Sequence, residues 1–247
     1  MNEPSELGRA KGRILVVDDD EIAQMVLREL LSREGYAVDV AWDAEMAMKA
    51  QKTVGYDLLL LDYMLPGLNG LEAVKAIRSG QADVMDPEVQ IIVLTSMDPG
   101  ALNEACVLAG AQLVLNKPVD GTALLAAIGR LAGNDSRAGD SAGGEALPER
   151  KQIPANVMDR AINRFMEEIP NTVFELRQAA DARDFDALAR IAHRFRGGAA
   201  LVGANVLASL AGRLESSARN KIEDKAARLV RQLTEALGHL QQAAEEQ

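Results

Sequence analysis

The chain has 247 residues, 48% hydrophobic and 26% charged, a soluble globular mix whose length suits one or two domains. Its formal charge is −10 and uneven: residues 1–132 carry 11 Lys and Arg against 20 Asp and Glu, whereas residues 154–247 carry 13 against 13. An acidic first half argues against non-specific nucleic-acid binding, no apolar run approaches the ~20 residues that cross a bilayer, and no apolar signal core opens the chain, so the expectation is a cytoplasmic protein with neither nucleic acid nor membrane as partner.

The first half alternates between two periodicities. Strand-like runs lie near 13–18, 36–41, 57–62, 89–95 and 112–116, with helix-like segments near 20–34, 43–53, 69–80, 99–109 and 120–132. The first helix is expected to place Ile22, Met25, Val26 and Leu30 on one face and to end at Gly35, and Asp43 is the expected N-cap of the second. Runs as apolar as Leu58–Leu61 suit a parallel sheet covered on both faces. Five βα units predict a doubly wound α/β domain. The single cysteine, Cys106, sits in an apolar helical pattern, expected to be buried, and has no partner for an internal disulfide.

Residues 133–153 lose all periodicity and are rich in Gly, Ser, Asp and Ala, the composition of a flexible linker. From Pro154 the strand signal disappears. Helical patterns run near 155–168, 170–181, 185–201, 204–219 and 223–243. Pro170 is read as opening a new helix and Asp184 as an N-cap, giving an antiparallel bundle of four long helices with a short lead-in.

Four apolar runs of the first half each end in a polar group: Asp18 and Asp19, then Asp62, then Thr95, then Lys117 followed by Pro118. In an open parallel sheet the ligand site lies beyond the carboxyl ends of the strands, so these side chains converge there. Adjacent carboxylates at Asp18 and Asp19 repel unless a hard cation such as Mg²⁺ compensates them. Asp62 can join that coordination or act as a nucleophile, since carboxylates form acyl phosphates. Lys117 can pair with Asp62 or a phosphoryl oxygen, and Thr95 can hydrogen-bond another. Asp20 reads as the cap of the first helix.

The motifs VVDDD, LLLLDYMLPGLNG, IIVLTS and LNKP resemble those of response-regulator receiver domains of two-component signalling, over roughly residues 12–132. The resemblance implies a flavodoxin-like (βα)5 domain with Asp62 as phospho-acceptor. It also implies Asp18, Asp19, Asp62 and the backbone carbonyl of Met64 around Mg²⁺, Thr95 and Lys117 on the phosphoryl group, and a cis peptide before Pro118. One departure stands out: the family often carries an aromatic switch residue where this chain has Val114, which points to a phosphate carrier more than a conformational switch. Met64 and Met97 are expected to cover the approach of water to an acyl phosphate on Asp62.

In the helical half, Arg190 and Arg196 flank His193 at helical spacing, and Gly197 and Gly198 leave space above its ring. Nearby guanidinium groups disfavour a protonated imidazole and can pair with a phosphoryl group. His239 reads as a surface residue. The run His193-Arg194-Phe195-Arg196-Gly197, followed by Gly203-Ala204, resembles a histidine-phosphotransfer (HPt) domain over roughly 154–245. That implies an antiparallel four-helix bundle with His193 phosphorylated, expected on Nε2, and Arg196 at a position often occupied by lysine.

Together these readings give a phosphorelay protein: a receiver domain over 12–132, a linker over 133–153 and an HPt bundle over 154–245. The expected partners are a histidine kinase or other phosphohistidine donor and a downstream response regulator or receiver. The linker could span ~25 Å as a coil, so exchange between Asp62 and His193 within one chain is possible. No G-x-x-x-x-G-K-[ST] loop appears, so self-phosphorylation from ATP is not expected. Two alternatives are weighed. Asp18 and Asp20 also fit the D-x-D of haloacid-dehalogenase-like phosphohydrolases, with Asp18 as nucleophile, but that leaves Asp62 unused and supplies only Asp120 as a later acidic ligand before the linker. The chain could instead be a phosphorylation-controlled docking module.

Overall fold

A computed structural model describes residues 10–96, 99–132 and 153–245. The chain divides into two compact units: all five strands lie in one, and the helices from residue 155 onward lie in the other. The linker residues other than Ile153 lie outside the described residues, and so does Met97.

In the α/β unit, β1 (Arg13–Val17), β2 (Ala37–Ala41), β3 (Leu58–Asp62), β4 (Gln90–Thr95) and β5 (Leu113–Asn116) form a parallel sheet in the order β2-β1-β3-β4-β5. The helices between and after them are α1 (Glu21–Arg33), α2 (Ala44–Gln51), α3 (Gly70–Arg78), α4 (Pro99–Leu108) and α5 (Gly121–Leu131). This is the expected doubly wound flavodoxin-like order. The order reverses between β1 and β3, which marks the crevice where such sheets bind ligands. One layer of core sets Leu15, Leu59, Leu61, Ile91 and Val93 with Val74 and Ile77 of α3. The opposite layer sets Ile14, Val16, Leu60, Ile92 and Leu94 with Leu124 and Ile128 of α5. Strand residues thus alternate between two buried faces, which is why the runs read as continuously apolar.

Two start and stop signals, Gly35 and Asp43, act as expected, and Asp120 adds a third. Gly35 takes φ +88° just beyond α1. The Asp43 carboxylate accepts from Met46 N at 2.7 Å, and Asp120 accepts from Ala123 N at 3.0 Å. On α1, Ile22 and Val26 of the expected face are buried and Met25 and Leu30 partly so, while Leu27 and Leu31 enter the core against the sheet with Leu30 beside them. Apolar residues at 22, 25, 26, 27, 30 and 31 make an arc broader than one face, so spacing alone cannot choose its sheet-facing edge.

The all-α unit holds α6 (Ala155–Asp181), α7 (Phe185–Leu201), α8 (Asn205–Arg219) and α9 (Glu223–Glu245). Each packs on the next in sequence, and α6 closes on α9, making the four-helix bundle. The expected break at Pro170 is corrected: α6 is one helix of 27 residues running through it, and there is no separate lead-in helix. An interior proline removes one backbone hydrogen bond and costs about 3 kcal/mol. Here Pro170 lies on the exposed side, where water can satisfy the released carbonyl, and the buried stripe Val157, Ala161, Phe165, Ile169, Thr172, Leu176 and Ala179 continues across it. Phe165 also stacks on Phe195 of α7 with ring centroids 5.2 Å apart. Asp184 caps α7 as expected, accepting from Ala187 N at 2.8 Å.

Candidate functional site

In the α/β unit the register Val17↔Leu61 carries Asp18 and Asp62 side by side off the ends of β1 and β3. Asp62 aligns with Leu94 and Thr95 with Asn116, so β4 and β5 deliver Thr95 and Lys117 to the same edge. The chain turns sharply after β3, and α3 begins against it. A Cβ at Gly70 would stand 2.7 Å from both the Asp62 carbonyl oxygen and the Tyr63 Cα, so only glycine allows this approach. Asn69 and Glu72 close a capping box there, fixing the start of α3. The Lys117–Pro118 peptide is cis, as expected.

The sequence-expected residues meet. Carboxylate oxygens of Asp18, Asp19 and Asp62 all lie within 4.8 Å of one another. Lys117 Nζ stands 2.6 Å from Asp18 Oδ2 and 2.9 Å from Asp62 Oδ2. Asp18, Asp62 and Thr95 are almost wholly buried. Burial alone would lower the Lys117 pKa, but the Asp18 and Asp62 charges outweigh it and hold the ammonium well above the ordinary lysine range. Met64 N donates to Asp62 Oδ1 at 3.2 Å. Asp20 stands apart in role: its Oδ1 accepts from Ile22 N at 2.9 Å and Ala23 N at 3.3 Å, capping α1.

Three carboxylates crowd a largely buried pocket beside the Lys117 ammonium. Hard oxygen donors at this spacing fit a small divalent cation such as Mg²⁺.

In the all-α unit, His193 of α7 has its Nδ1 3.0 Å from Glu215 Oε1 of α8. Burial works to raise the Glu215 pKa, but the contact with His193, the charge of Arg196 and the hydrogen bonds from Arg219 override it and hold the carboxyl below its ordinary value. An ionised carboxylate only accepts, so the hydrogen bond to Glu215 calls for a proton on Nδ1. Arg196 lies at this centre, with Nη1 3.1 Å from Glu215 Oε2. Arg194 pairs instead with Glu175 of α6, and Arg190 and His239 are exposed.

Sequence reasoning missed Glu215 and Arg219. The available signal was a carboxylate beside Leu214 on the buried stripe Leu207, Ala211, Leu214 and Ala218 of α8. An acidic residue there needs a buried partner.

Two protein-family models match the chain: the response regulator receiver domain over residues 14–129 and the Hpt domain over residues 160–243. Over 217 residues the chain is 28% identical to the sensory/regulatory protein RpfC of Xanthomonas campestris pv. campestris, an alignment covering 82% of this chain and 30% of that protein. It is 29% identical over 208 residues to the sensor histidine kinase AruS of Pseudomonas aeruginosa, covering 83% of this chain and 21% of that protein. With the response regulator MprA of Mycobacterium ulcerans it shares 33% identity over 160 residues, 65% of this chain and 67% of that protein. The chain therefore spans less than a third of the length of the two sensor relatives. Among the described residues, no helix is long and apolar enough to cross a membrane.

Proposed function

The chain belongs to the receiver-domain and Hpt families and is a phosphorelay signalling protein; from that premise we propose that Asp62 accepts a phosphoryl group from a partner phosphohistidine and that His193 carries one in the same pathway. The observation that carries the reading is the placement of Asp62 beside Asp18 and Lys117 in the acidic pocket. The proposed boundaries are 12–132 for the receiver and 154–245 for the HPt bundle, with 133–153 joining them. The ends of α5 at Leu131 and the start of α6 at Ala155 support these limits.

An Asp62 carboxylate oxygen forms a bond to phosphorus while the phosphorus–nitrogen bond of the donor breaks, and the imidazole leaves with the electron pair. Lys117 pairs with a phosphoryl oxygen and still balances Asp18. The Thr95 hydroxyl, at the end of β4, donates to a second oxygen. Asp18, Asp19, Asp62 and the Met64 carbonyl would hold Mg²⁺, which when bound supplies positive charge to the phosphoryl oxygens. At His193, Nε2 is the nucleophile because Glu215 fixes the proton on Nδ1. The partners of this chemistry are histidine kinases or other phosphohistidine donors upstream and response regulators or receivers downstream. Val114 is buried on β5, and with no aromatic ring at that position the α/β unit is read as a carrier. A beryllofluoride-bound structure with a large rearrangement of residues 95–116 would contradict that.

Asp62→Asn separates this function from the phosphohydrolase alternative. The relay reading expects loss of acyl-phosphate formation from acetyl phosphate and Mg²⁺. Undiminished formation in the variant would place the nucleophile at Asp18 instead. No label is expected on the chain from labelled ATP and Mg²⁺ alone.

A further inference from the structure

Phe174 of α6 is 60% exposed, whereas Phe165 and Phe195 of the same bundle are buried. One turn further along α6, Arg177 borders a groove of about 420 Å³ between α6 and α9, floored by Ala180 and Val230. Arg183, just beyond α6, meets Glu223 at the start of α9 at 3.1 Å, so the two helices run antiparallel. The rim carries Arg177 and Asp181 on α6, and Arg231 and Glu235 on α9. Within each helix the cation stands one turn before the anion, and none of the four forms an ion pair among the described residues. This face lies across the bundle from α7 and α8, which hold His193 and Glu215. Residues 154–247 carry 13 Lys and Arg against 13 Asp and Glu, so no net charge on one bundle opposes the approach of another.

We propose that the α6–α9 face is a two-fold interface between two copies of this chain. A two-fold contact uses one patch twice, so the patch must complement itself. This patch does so in shape: Phe174 supplies a projection and the groove a recess, within two turns of each other on one face. It does so in charge as well. In an antiparallel copy the order of cation and anion is reversed, which turns Arg177 toward the partner's Asp181 and Asp181 toward the partner's Arg177. A uniformly acidic or uniformly basic ligand would leave half of this rim opposed by like charge. A buried aromatic ring contributes about 150–250 Å², against the roughly 1,000 Å² that a specific interface needs, so the pair is expected to be reversible, not permanent. It uses no residue of the α7–α8 side, so each copy keeps its own His193 centre.

The test is sedimentation velocity of the full chain over about a hundredfold range of concentration. The proposal expects monomer and dimer in reversible exchange. Phe174→Ser, at an exposed position, should weaken the dimer by about tenfold or more, as loss of an aromatic anchor does. Arg177→Glu should weaken it too, by setting a second negative charge toward the partner's Asp181. Combining Arg177→Glu with Asp181→Arg in one chain should recover the dimer, because the two-fold then pairs the same charges in the opposite order. Far-UV circular dichroism should stay unchanged in all three variants, which separates a lost interface from a lost fold. A chain that is monomeric at every concentration overturns the proposal. A dimer that Phe174→Ser leaves intact overturns it as well, by placing the contact elsewhere. A double exchange as weak as Arg177→Glu alone overturns the antiparallel two-fold.

Discussion

Lys117 meets two buried carboxylates at once, and its removal leaves Asp18 and Asp62 facing each other without that charge. Breaking a buried ion pair by deleting one partner costs roughly 3–5 kcal/mol. Lys117→Ala should therefore destabilise the α/β unit by that order in a chelator, with Mg²⁺ restoring part of the loss; a variant as stable as wild type in urea without Mg²⁺ would contradict this pocket. A built-in reporter is available. Trp42 is the only tryptophan, and it follows Ala41, whose carbonyl accepts from Asp18 N at 3.1 Å. Mg²⁺ should change its fluorescence saturably, and Asp19→Asn should weaken the apparent affinity.

Glu215 gives a prediction with a definite sign. Its folded pKa lies below its unfolded value, so its ionised form favours the fold above that unfolded value, ~4.3, and the contribution is lost as pH falls through the folded pKa. Glu215→Gln lacks this titration. Wild type should lose stability relative to the variant below pH ~4.3, and parallel stability–pH curves would contradict the assignment. The contrast between these two sites explains what the sequence shows. Asp18, Asp62, Thr95 and Lys117 are legible because each ends an apolar run, and a parallel sheet brings all such ends to one edge. Glu215 is not legible because its meeting with His193, 22 positions away, depends on the register of α7 against α8. No local pattern encodes that register.

Among the elements, α6 teaches the most. Proline at 170 reads locally as a boundary, yet one buried stripe from Val157 to Ala179 keeps the helix whole. Local propensity loses to packing here because the stripe has the helical period on both sides of the proline. Pro170→Ala restores a backbone hydrogen bond but also loosens the unfolded chain, so a net gain of about 1–2 kcal/mol is expected. Far-UV circular dichroism in urea should show the later midpoint, while Trp42 fluorescence, which reports the α/β unit, stays unchanged. A less stable variant would mean that α6 needs its proline to pack. The apolar arc of α1 is broader than one face: Ile22 and Val26 are buried on one part of it, while Leu27 and Leu31 enter the core against the sheet.

At the scale of the whole molecule, the proposed function gives one chain two phosphoryl-accepting chemistries on unlike scaffolds. The sheet edge gathers carboxylates, an ammonium and a hydroxyl from four strand ends, suited to an acyl phosphate and a divalent cation. The bundle presents an imidazole with its proton fixed, suited to a phosphoramidate bond. The two chemistries differ in lability: an acyl phosphate is lost in alkali, and a phosphohistidine is lost in acid but survives alkali. The most direct measurement loads the full chain with labelled acetyl phosphate and, separately, labelled phosphoramidate, then follows acid and alkali stability in wild type, Asp62→Asn, His193→Gln and the double variant. The account expects an alkali-labile label that Asp62→Asn alone removes, an acid-labile label that His193→Gln alone removes, and no label on the double variant. Label of either kind persisting in the double variant would contradict it.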